Sequence, residues 1–213
     1  MWGWRSGWAC RPGGGAEAVR LWLVRHAATA LPTGVCYGAS DIPADPVATV
    51  EAARRLDAVL PARFGWRVSS LIRARQLAQA LQARRPGLAA PVVDPNLGEL
   101  DFGAWERLLW DDVPRAELDA WAADFTDYRP GGGESVRMLL RRVRHALRTA
   151  MADGVDDQVW ITHAGVIRAV RYTLQWGSAA VPPDAGHWPR KAPAPGQWVC
   201  VALPDTREGW DLP

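Results

Sequence analysis

The chain has 213 residues, a length that suits one domain or one domain with a small cap. It is 48% hydrophobic and 23% charged, which is typical of globular proteins that bury a core. The formal net charge of +2 is too small to attract nucleic acid or a membrane surface, and no apolar run is long enough to span a membrane. We therefore expect neither nucleic acid nor a membrane as a partner.

The N-terminal segment and the cysteines do not indicate a function. Residues 1–18 are rich in Gly and Arg and lack the apolar block of a signal peptide, so we expect a flexible N-terminal tail without an assigned function. We expect one domain over residues 19–213. Cys10, Cys36 and Cys200 lie far apart and form no CxxC pair, which suggests neither a zinc site nor a disulfide framework and favours a cytoplasmic location.

Strands and helices alternate along the chain. In chain order, the sequence predicts a strand at 19–24, a helix at 47–60, a strand at 66–69, a helix at 73–84, a strand at 91–94, a helix at 135–151, a strand at 158–162, a helix at 166–174 and a strand at 198–203. This alternation favours an α/β fold with a largely parallel sheet that is covered on both faces.

One segment breaks the alternation. Residues 103–130 contain five aromatic residues among many carboxylates, and we interpret them as a small helical cap inserted at about 103–133. These aromatic residues are Trp105, Trp110, Trp121, Phe125 and Tyr128. For most of them we expect core packing of short helices.

Polar side chains follow four of the predicted strands. Arg25 and His26 come directly after the first strand, and His163 comes directly after the fourth. Arg73 lies four residues beyond the second strand, and Glu99 lies a few residues beyond the third. Because ligands of open α/β sheets bind outside the carboxyl ends of the strands, we expect these five side chains to meet at one edge.

These residue types are suited to phosphoryl transfer. Arginine grips phosphate oxygens with two parallel hydrogen bonds. Neutral imidazole is a nucleophile near neutral pH, and a carboxyl group can protonate a leaving alkoxide. His145, on an amphipathic helix, and His187, in a Pro/Gly loop, are predicted to be non-catalytic. No HxH or HxxxH pair is present, so we expect no metal site.

Five motifs in register resemble those of the histidine phosphatase superfamily, also called the phosphoglycerate mutase-like family. They are LVRHAAT, SSLIRARQLAQAL, LGELDFGAWE, PGGGES and ITHAGVIRAV, in an order and spacing that extend over about residues 19–203. The resemblance implies a three-layer α/β/α sandwich around a mostly parallel sheet.

The resemblance also implies a role for each residue of the predicted site. His26 would be the nucleophile that becomes phosphohistidine, and Arg25, Arg73 and His163 would hold the phosphoryl oxygens. Glu99 would protonate the leaving oxygen and then activate water. Thr29, at the usual hydroxyl position, and the amides that begin at Ala164 would add substrate contacts. Neither a metal nor another cofactor is implied, because guanidinium and imidazole groups supply the positive charge.

The chain departs from the family pattern at four positions. Ala27 replaces the usual glycine after the first histidine, and Pro32 replaces an asparagine that often contacts phosphate. Leu77 replaces the usual threonine of the second arginine motif, and Arg107 replaces the usual glycine after the Trp-Glu pair.

The segment Gly34–Ala44, GVCYGASDIPA, resembles a loop of bacterial alpha-ribazole phosphatases and makes Tyr37 and Gly38 candidate substrate contacts. The simpler interpretation is a turn in which Gly38 meets a backbone requirement. If the substrate is alpha-ribazole 5'-phosphate, Trp105 and Trp110 are candidates for a flat surface under its base.

Three alternatives to that substrate stay open. The first is a phosphatase of another small ester, including sugar phosphates and nucleotides, and the second is a phosphoglycerate mutase. The third is a non-catalytic module that binds a phospholigand, although retention of both His26 and Glu99 argues against it. In each case the partner is a small phosphate ester, and the chain is expected to be a monomer or a homodimer.

Overall fold

The structure is a computed structural model that describes residues 19–203. The predicted N-terminal tail, residues 1–18, lies outside the described residues. Within residues 19–203, none of the helices combines the length and the apolar character needed to cross a membrane.

Within residues 19–203, five strands form one sheet that is parallel except at one edge. The strands are β1 (Arg20–Arg25), β2 (Gly65–Val68), β3 (Val92–Val93), β4 (Asp157–Thr162) and β5 (Trp198–Ala202). Their spatial order is β3-β2-β4-β1-β5, in which β5 alone runs antiparallel to its neighbour. The parallel strands β1, β4 and β2 are adjacent, so the residues that follow them lie at the same edge.

Five α-helices connect and flank the strands. They are α1 (Pro46–Asp57), α2 (Ile72–Arg84), α3 (Arg115–Ala123), α4 (Val136–Ala152) and α5 (Ala164–Trp176). Local sequence signals fix several of their ends. The Asp45 side chain accepts from the Ala48 amide and Pro46 opens α1, while the Ser135 side chain caps α4. Gly177 ends α5 with a φ of 95°, which glycine adopts without strain.

Two hydrophobic cores cover the two faces of the sheet. Successive residues of β1 point to opposite faces: Leu21 and Leu23 pack with α4 and α5, whereas Trp22 and Val24 pack with α1 and α2. This arrangement confirms the predicted α/β/α sandwich with a mostly parallel sheet.

The cap consists of α3 and short 3-10 turns, with a small core of its own. Cys36, Trp105 and Val113 are buried there, and Trp110 and Trp121 pack against them. Trp105 is only 2% exposed, and its Nε1 donates to Glu117 at 2.5 Å. The expectation that Trp105 offers a flat surface to a base is therefore wrong, because its ring is enclosed by the cap.

Arg107, which stands where the family pattern has glycine, has a φ of 71°. A side chain in this left-handed region brings Cβ close to the following carbonyl oxygen, which costs about 1–2 kcal/mol. The strain is a direct consequence of that departure from the pattern.

Replacing Arg107 with glycine is expected to raise the free energy of unfolding by about 0.5–1 kcal/mol. The relief of strain exceeds the additional chain entropy that glycine brings to the unfolded state. Urea unfolding measures the effect, and Arg107→Ala, which removes the charge but keeps Cβ, is the control. An equal gain in the alanine variant would show that backbone strain is not the cause.

Candidate active site

The sheet topology brings the two predicted histidines together. His26 follows β1 and His163 follows β4, its parallel neighbour, and the ring centroids are 5.0 Å apart. The His26 amide donates to the carbonyl oxygen of Thr162 at 3.0 Å, which continues the pairing of the two strands. Both side chains are buried.

One hydrogen bond fixes the tautomer of His26. Its Nδ1 lies 2.6 Å from the carbonyl oxygen of Ala27, and a carbonyl can only accept, so Nδ1 carries the proton. The lone pair of the neutral ring is therefore on Nε2. In His163, Nε2 lies 2.8 Å from the Ser69 hydroxyl, and the buried Nδ1 has no partner among the described residues.

Burial and nearby cations keep both imidazoles uncharged. Burial, with Arg73 as the next cause, lowers the pKa of His26 to about 3. Burial also lowers the pKa of His163 well below its ordinary value, and its interactions with His26 and Arg73 act in the same direction. At neutral pH the His26 ring is therefore uncharged, and the lone pair on Nε2 is available.

Arg73 carries a buried positive charge into the same region. Its Nη2 donates to the carbonyl oxygen of Gly38 at 2.6 Å, and its Nη1 donates to that of Ser40 at 2.8 Å. The guanidinium carbon lies 5.3 Å from the centre of the Tyr37 ring, and Nε has no partner. Among residues 19–203, no carboxylate is close enough to form an ion pair with it. The charge is thus held by neutral carbonyl groups and remains available to an anion.

Arg25 ends β1 directly before the nucleophile. Its Nη1 donates to the carbonyl oxygen of Pro193 at 3.0 Å, which orients the guanidinium, and its buried Nε has no partner in the described part of the chain. The influence of Arg25 on the pKa of both His26 and His163 places its charge within electrostatic reach of the two rings.

Glu99 is held at the N-terminus of α5. Both of its carboxylate oxygens accept from the Gly165 amide, at 3.0 and 3.1 Å, and one also accepts from Leu100 at 3.0 Å. It lines an open groove of about 370 Å³ that Ala39 and Ser70 border. The carboxylate is therefore reachable by solvent and by a bound ester.

The predicted substrate contacts lie around this edge of the sheet. Thr29 pairs with Ala44 in an isolated β-bridge, and Ala164 is the first residue of α5. The adjacent Gly165 amide, which we expected to serve an anion together with its neighbours, donates to Glu99 instead. Tyr37 and Gly38 lie against Arg73 from the side of the loop. These four residues, Thr29, Tyr37, Gly38 and Ala164, remain predicted contacts.

Sequence reasoning missed the contribution of Glu106. Its carboxylate accepts from the amides of Gly38, Ala39, Ser40 and Phe102, at distances of 2.8–3.1 Å. Burial alone would raise the pKa of Glu106, but the hydrogen bonds from these amides hold it below its ordinary value. The carboxylate therefore stays ionised and fixes the loop whose carbonyls hold the Arg73 guanidinium.

Gly38 has a clear structural reason to be glycine. A Cβ at this position would lie 1.8 Å from the carbonyl oxygen of Leu100 and 3.0 Å from the Glu106 carboxylate. The loop approaches the segment beside Glu99 too closely for any other residue, so the backbone interpretation of Gly38 accounts for its identity.

No group of three or more potential metal-ligating side chains occurs in the part of the chain that the structure describes. The cations of the site are the guanidinium groups of Arg25 and Arg73. Together with two buried imidazoles at the carboxyl edge of an α/β sheet, they form a cradle suited to a phosphoryl dianion.

Comparisons with known proteins identify this class. The family model of the histidine phosphatase superfamily, branch 1, matches residues 21–189, which contain all five motifs. The chain therefore belongs to the histidine phosphatase superfamily.

Relatives in this superfamily include both phosphatases and a mutase. The adenosylcobalamin/alpha-ribazole phosphatase of Salmonella typhimurium is 30% identical over 156 residues, which cover 70% of this chain and 76% of the relative. A phosphoglycerate mutase from Thermus thermophilus is 32% identical, with a TM-score of 0.63 over 87% of this chain and 94% of its own. A mycobacterial glucosyl-3-phosphoglycerate phosphatase is 29% identical, with a TM-score of 0.62 over 74% of this chain and 79% of its own.

Protonation of the buried imidazoles should destabilise the fold. The unfolded chain binds protons at His26 and His163 below about pH 6.5, whereas the folded chain binds them only at much lower pH. The free energy of unfolding should therefore fall as the pH falls below 6.5, by up to about 1.4 kcal/mol per unit for each imidazole. Urea unfolding at pH 7.5 and 5.5 measures the slope.

The slope should shrink in His26→Gln and in His163→Gln. The control is His145→Gln, because His145 is exposed on α4. If all three variants kept the wild-type slope, the buried imidazoles could not be its source.

Glu106→Gln should weaken binding of inorganic phosphate by about tenfold. The glutamine side chain has only one acceptor oxygen, and its N–H₂ group faces backbone N–H donors. The loop at residues 38–40 therefore loses hydrogen bonds, and its carbonyl groups no longer hold Arg73 in a fixed position. Calorimetric titration with phosphate measures the affinity, with Glu51→Gln, an exposed ion-pair variant on α1, as control. Unchanged affinity in a folded Glu106→Gln protein would exclude this positioning role.

Proposed function

We propose that the protein is a phosphomonoesterase that passes the phosphoryl group of a small metabolite through His26 to water. The observation that carries this proposal is the state of His26. Its ring is neutral, its Nδ1 proton is committed to the Ala27 carbonyl, and its free Nε2 belongs to a ring 5.0 Å from that of His163, beside the buried guanidinium of Arg73.

In the first step, Nε2 of His26 attacks phosphorus while the bond between phosphorus and the ester oxygen breaks. Protonated Glu99 gives its proton to the leaving alkoxide, so that an alcohol departs. Arg25 and Arg73 bind the equatorial oxygens, where negative charge is spread in the transition state, and His163 donates a further hydrogen bond. The product is phosphohistidine at position 26.

In the second step, the carboxylate of Glu99 takes a proton from water, and the resulting nucleophile attacks the phosphohistidine. The bond between phosphorus and Nε2 breaks, inorganic phosphate leaves, and the neutral imidazole is restored. Glu99 is protonated again, so the cycle conserves protons and needs no further group.

The open groove beside Glu99 supports hydrolysis over transfer to a second alcohol. A mutase must shield its phosphohistidine from water, whereas this groove of about 370 Å³ reaches the general base from the surface. The similarity to a phosphoglycerate mutase keeps transfer as the second candidate.

Alpha-ribazole 5'-phosphate is the substrate that we propose first, as a step in assembling the nucleotide loop of cobalamin. Two observations support it. The chain is 30% identical to the Salmonella typhimurium adenosylcobalamin/alpha-ribazole phosphatase, and the segment Gly34–Ala44 resembles a loop of bacterial alpha-ribazole phosphatases. Sugar phosphates and nucleotides are the alternative substrates.

Rapid acid-free quenching during turnover should trap a phosphoenzyme that is stable to base and labile to acid, as phosphohistidine is. His26→Ala should form none and should release phosphate at least about a thousandfold more slowly. Glu99→Gln should slow esters of poorly acidic alcohols far more than p-nitrophenyl phosphate, whose leaving group needs no proton. His145→Ala is the control for loss of an exposed imidazole.

The substrate panel contains alpha-ribazole 5'-phosphate, a sugar phosphate, a nucleotide and 3-phosphoglycerate, with phosphate release as the readout. Isomerisation of 3-phosphoglycerate without phosphate release would replace the hydrolase by a mutase. Wild-type phosphate release by His26→Ala would exclude the covalent route.

A further inference from the structure

A second cavity, of about 140 Å³, adjoins the carboxylate end of the active site. Its lining includes Glu99 and Gly165, the two residues joined by the hydrogen bonds that hold the general acid. Four aromatic residues, Phe102, Trp121, Phe125 and Trp188, form half of the remaining wall, and Leu100, Val136, Leu139 and Arg168 form the other half. We call this cavity the aromatic side pocket. The described mechanism does not use it.

The aromatic walls support one another. Trp121 lies edge-on to Phe102, with 6.1 Å between ring centroids, and stacks on Phe125 at 5.9 Å. Phe125 in turn lies 6.0 Å from Trp188. Because each ring is packed against the next, the wall is a preformed surface for another ring.

Two N–H donors in this lining have no acceptor among the described residues. They are the buried Nε1 of Trp121 and the buried Nε of Arg168. Arg168 lies on α5, one turn after Gly165, and its Nη2 donates to the carbonyl oxygen of Arg190 at 3.3 Å. Burial lowers the pKa of Arg168, while its attraction to Glu99 opposes that shift. Apolar walls with unmatched donors suit a ligand that is flat and carries hydrogen-bond acceptors.

The open groove on the other side of Glu99 lacks this character. Its main cation, Arg142, is bound by both carboxylate oxygens of Glu134, at 2.7 and 2.8 Å, and by the carbonyl oxygens of residues 96 and 98. The guanidinium of Arg142 is therefore satisfied by the protein itself. Water can use the groove, whereas the aromatic side pocket is the better match for a substrate.

We propose that the aromatic side pocket binds the alcohol end of the ester, and that this alcohol carries a planar ring with hydrogen-bond acceptors on its edge. This inference rests on the proposed phosphatase function and names its substrate class. Trp121 and Trp188 contact the ring from the pocket wall, and Arg168 selects its acceptor atoms. A cavity of about 150 Å³ accepts one benzene ring, so one ring fits here and a fused second ring extends toward the opening.

The pocket lies beside the general acid, and this position favours binding of the leaving alcohol there. Glu99 lines the pocket, so the oxygen that joins a bound ring to phosphorus is delivered to the group that must protonate it. Binding energy from the ring then positions the ester for attack by His26 instead of only strengthening ground-state binding.

The test compares kcat/KM for methyl, benzyl and 3-pyridylmethyl phosphate, whose leaving alcohols are similarly poor. The wild type should prefer both ring esters to methyl phosphate, and pyridylmethyl to benzyl phosphate. Trp121→Leu and Trp188→Leu should each lower kcat/KM for the ring esters by about tenfold and change methyl phosphate less than about threefold. Trp121→Phe and Arg168→Met should reduce only the preference for the pyridyl ring.

Two matched variants control for loss of a tryptophan or an arginine elsewhere. They are Trp176→Leu, at the exposed end of α5, and Arg141→Met, exposed on α4. Both should keep the wild-type ratios, and thermal unfolding confirms that each variant is folded.

Wild-type turnover of methyl phosphate with no preference for ring esters would overturn the inference and leave the phosphatase function standing. So would ratios that stay unchanged in both Trp121→Leu and Trp188→Leu. Failure of every ester to form phosphohistidine would instead overturn the proposed function, and the inference with it.

Discussion

The burial of the Arg73 guanidinium without a carboxylate partner, among the described residues, is the constraint on which the site depends. A buried cation without compensation costs several kcal/mol, and here carbonyl dipoles, the Tyr37 ring and attraction to the Glu99 and Glu106 carboxylates, which form no direct ion pair with it, offset part of that cost. Neutral partners leave the positive charge in place for a dianion. After burial itself, this charge is the largest influence that lowers the pKa of His26. One group therefore presents a positive charge to an anion and helps to keep His26 unprotonated.

A peptide group between Glu106 and Arg73 offsets part of the free-energy cost of burying the Arg73 charge. The peptide that joins Gly38 to Ala39 donates its N–H to Glu106 and accepts from Arg73 with its carbonyl. Its dipole therefore lies between an anion and a cation and is polarised by both. A direct ion pair between Glu106 and Arg73 would neutralise the cation, whereas this arrangement fixes its position and leaves its charge exposed to a ligand. The close approach of Gly38 to the Leu100 carbonyl makes the geometry possible.

The sequence is sufficient to predict that His26 and His163 meet at the carboxyl edge of the sheet, but not the surfaces around that edge. Strand ends are visible as apolar runs that stop at Arg25 and His163, and parallel pairing then brings them together. Glu106 gave no such signal, because a carboxylate that binds backbone amides depends on a loop path that no periodicity reveals. Trp105 was misjudged for a related reason: in a segment of 3-10 turns, spacing does not show which rings face inward. The structure places it in the cap core and leaves Trp121 and Trp188 at the pocket.

Glu99 lies between the sheet edge that carries His26 and His163 and the aromatic side pocket. A Cβ on residue 165 would lie 2.1 Å from its carboxylate, so glycine is required for α5 to start this close to the general acid. His163 precedes α5 directly, so the same helix start sets the positions of both His163 and Glu99. The aromatic part of the wall beyond Glu99 comes from Phe102, from Trp121 and Phe125 of the cap and from Trp188, none of which belongs to the cradle. Changes in those walls can therefore alter which alcohol is bound while the distances that govern phosphoryl transfer stay fixed.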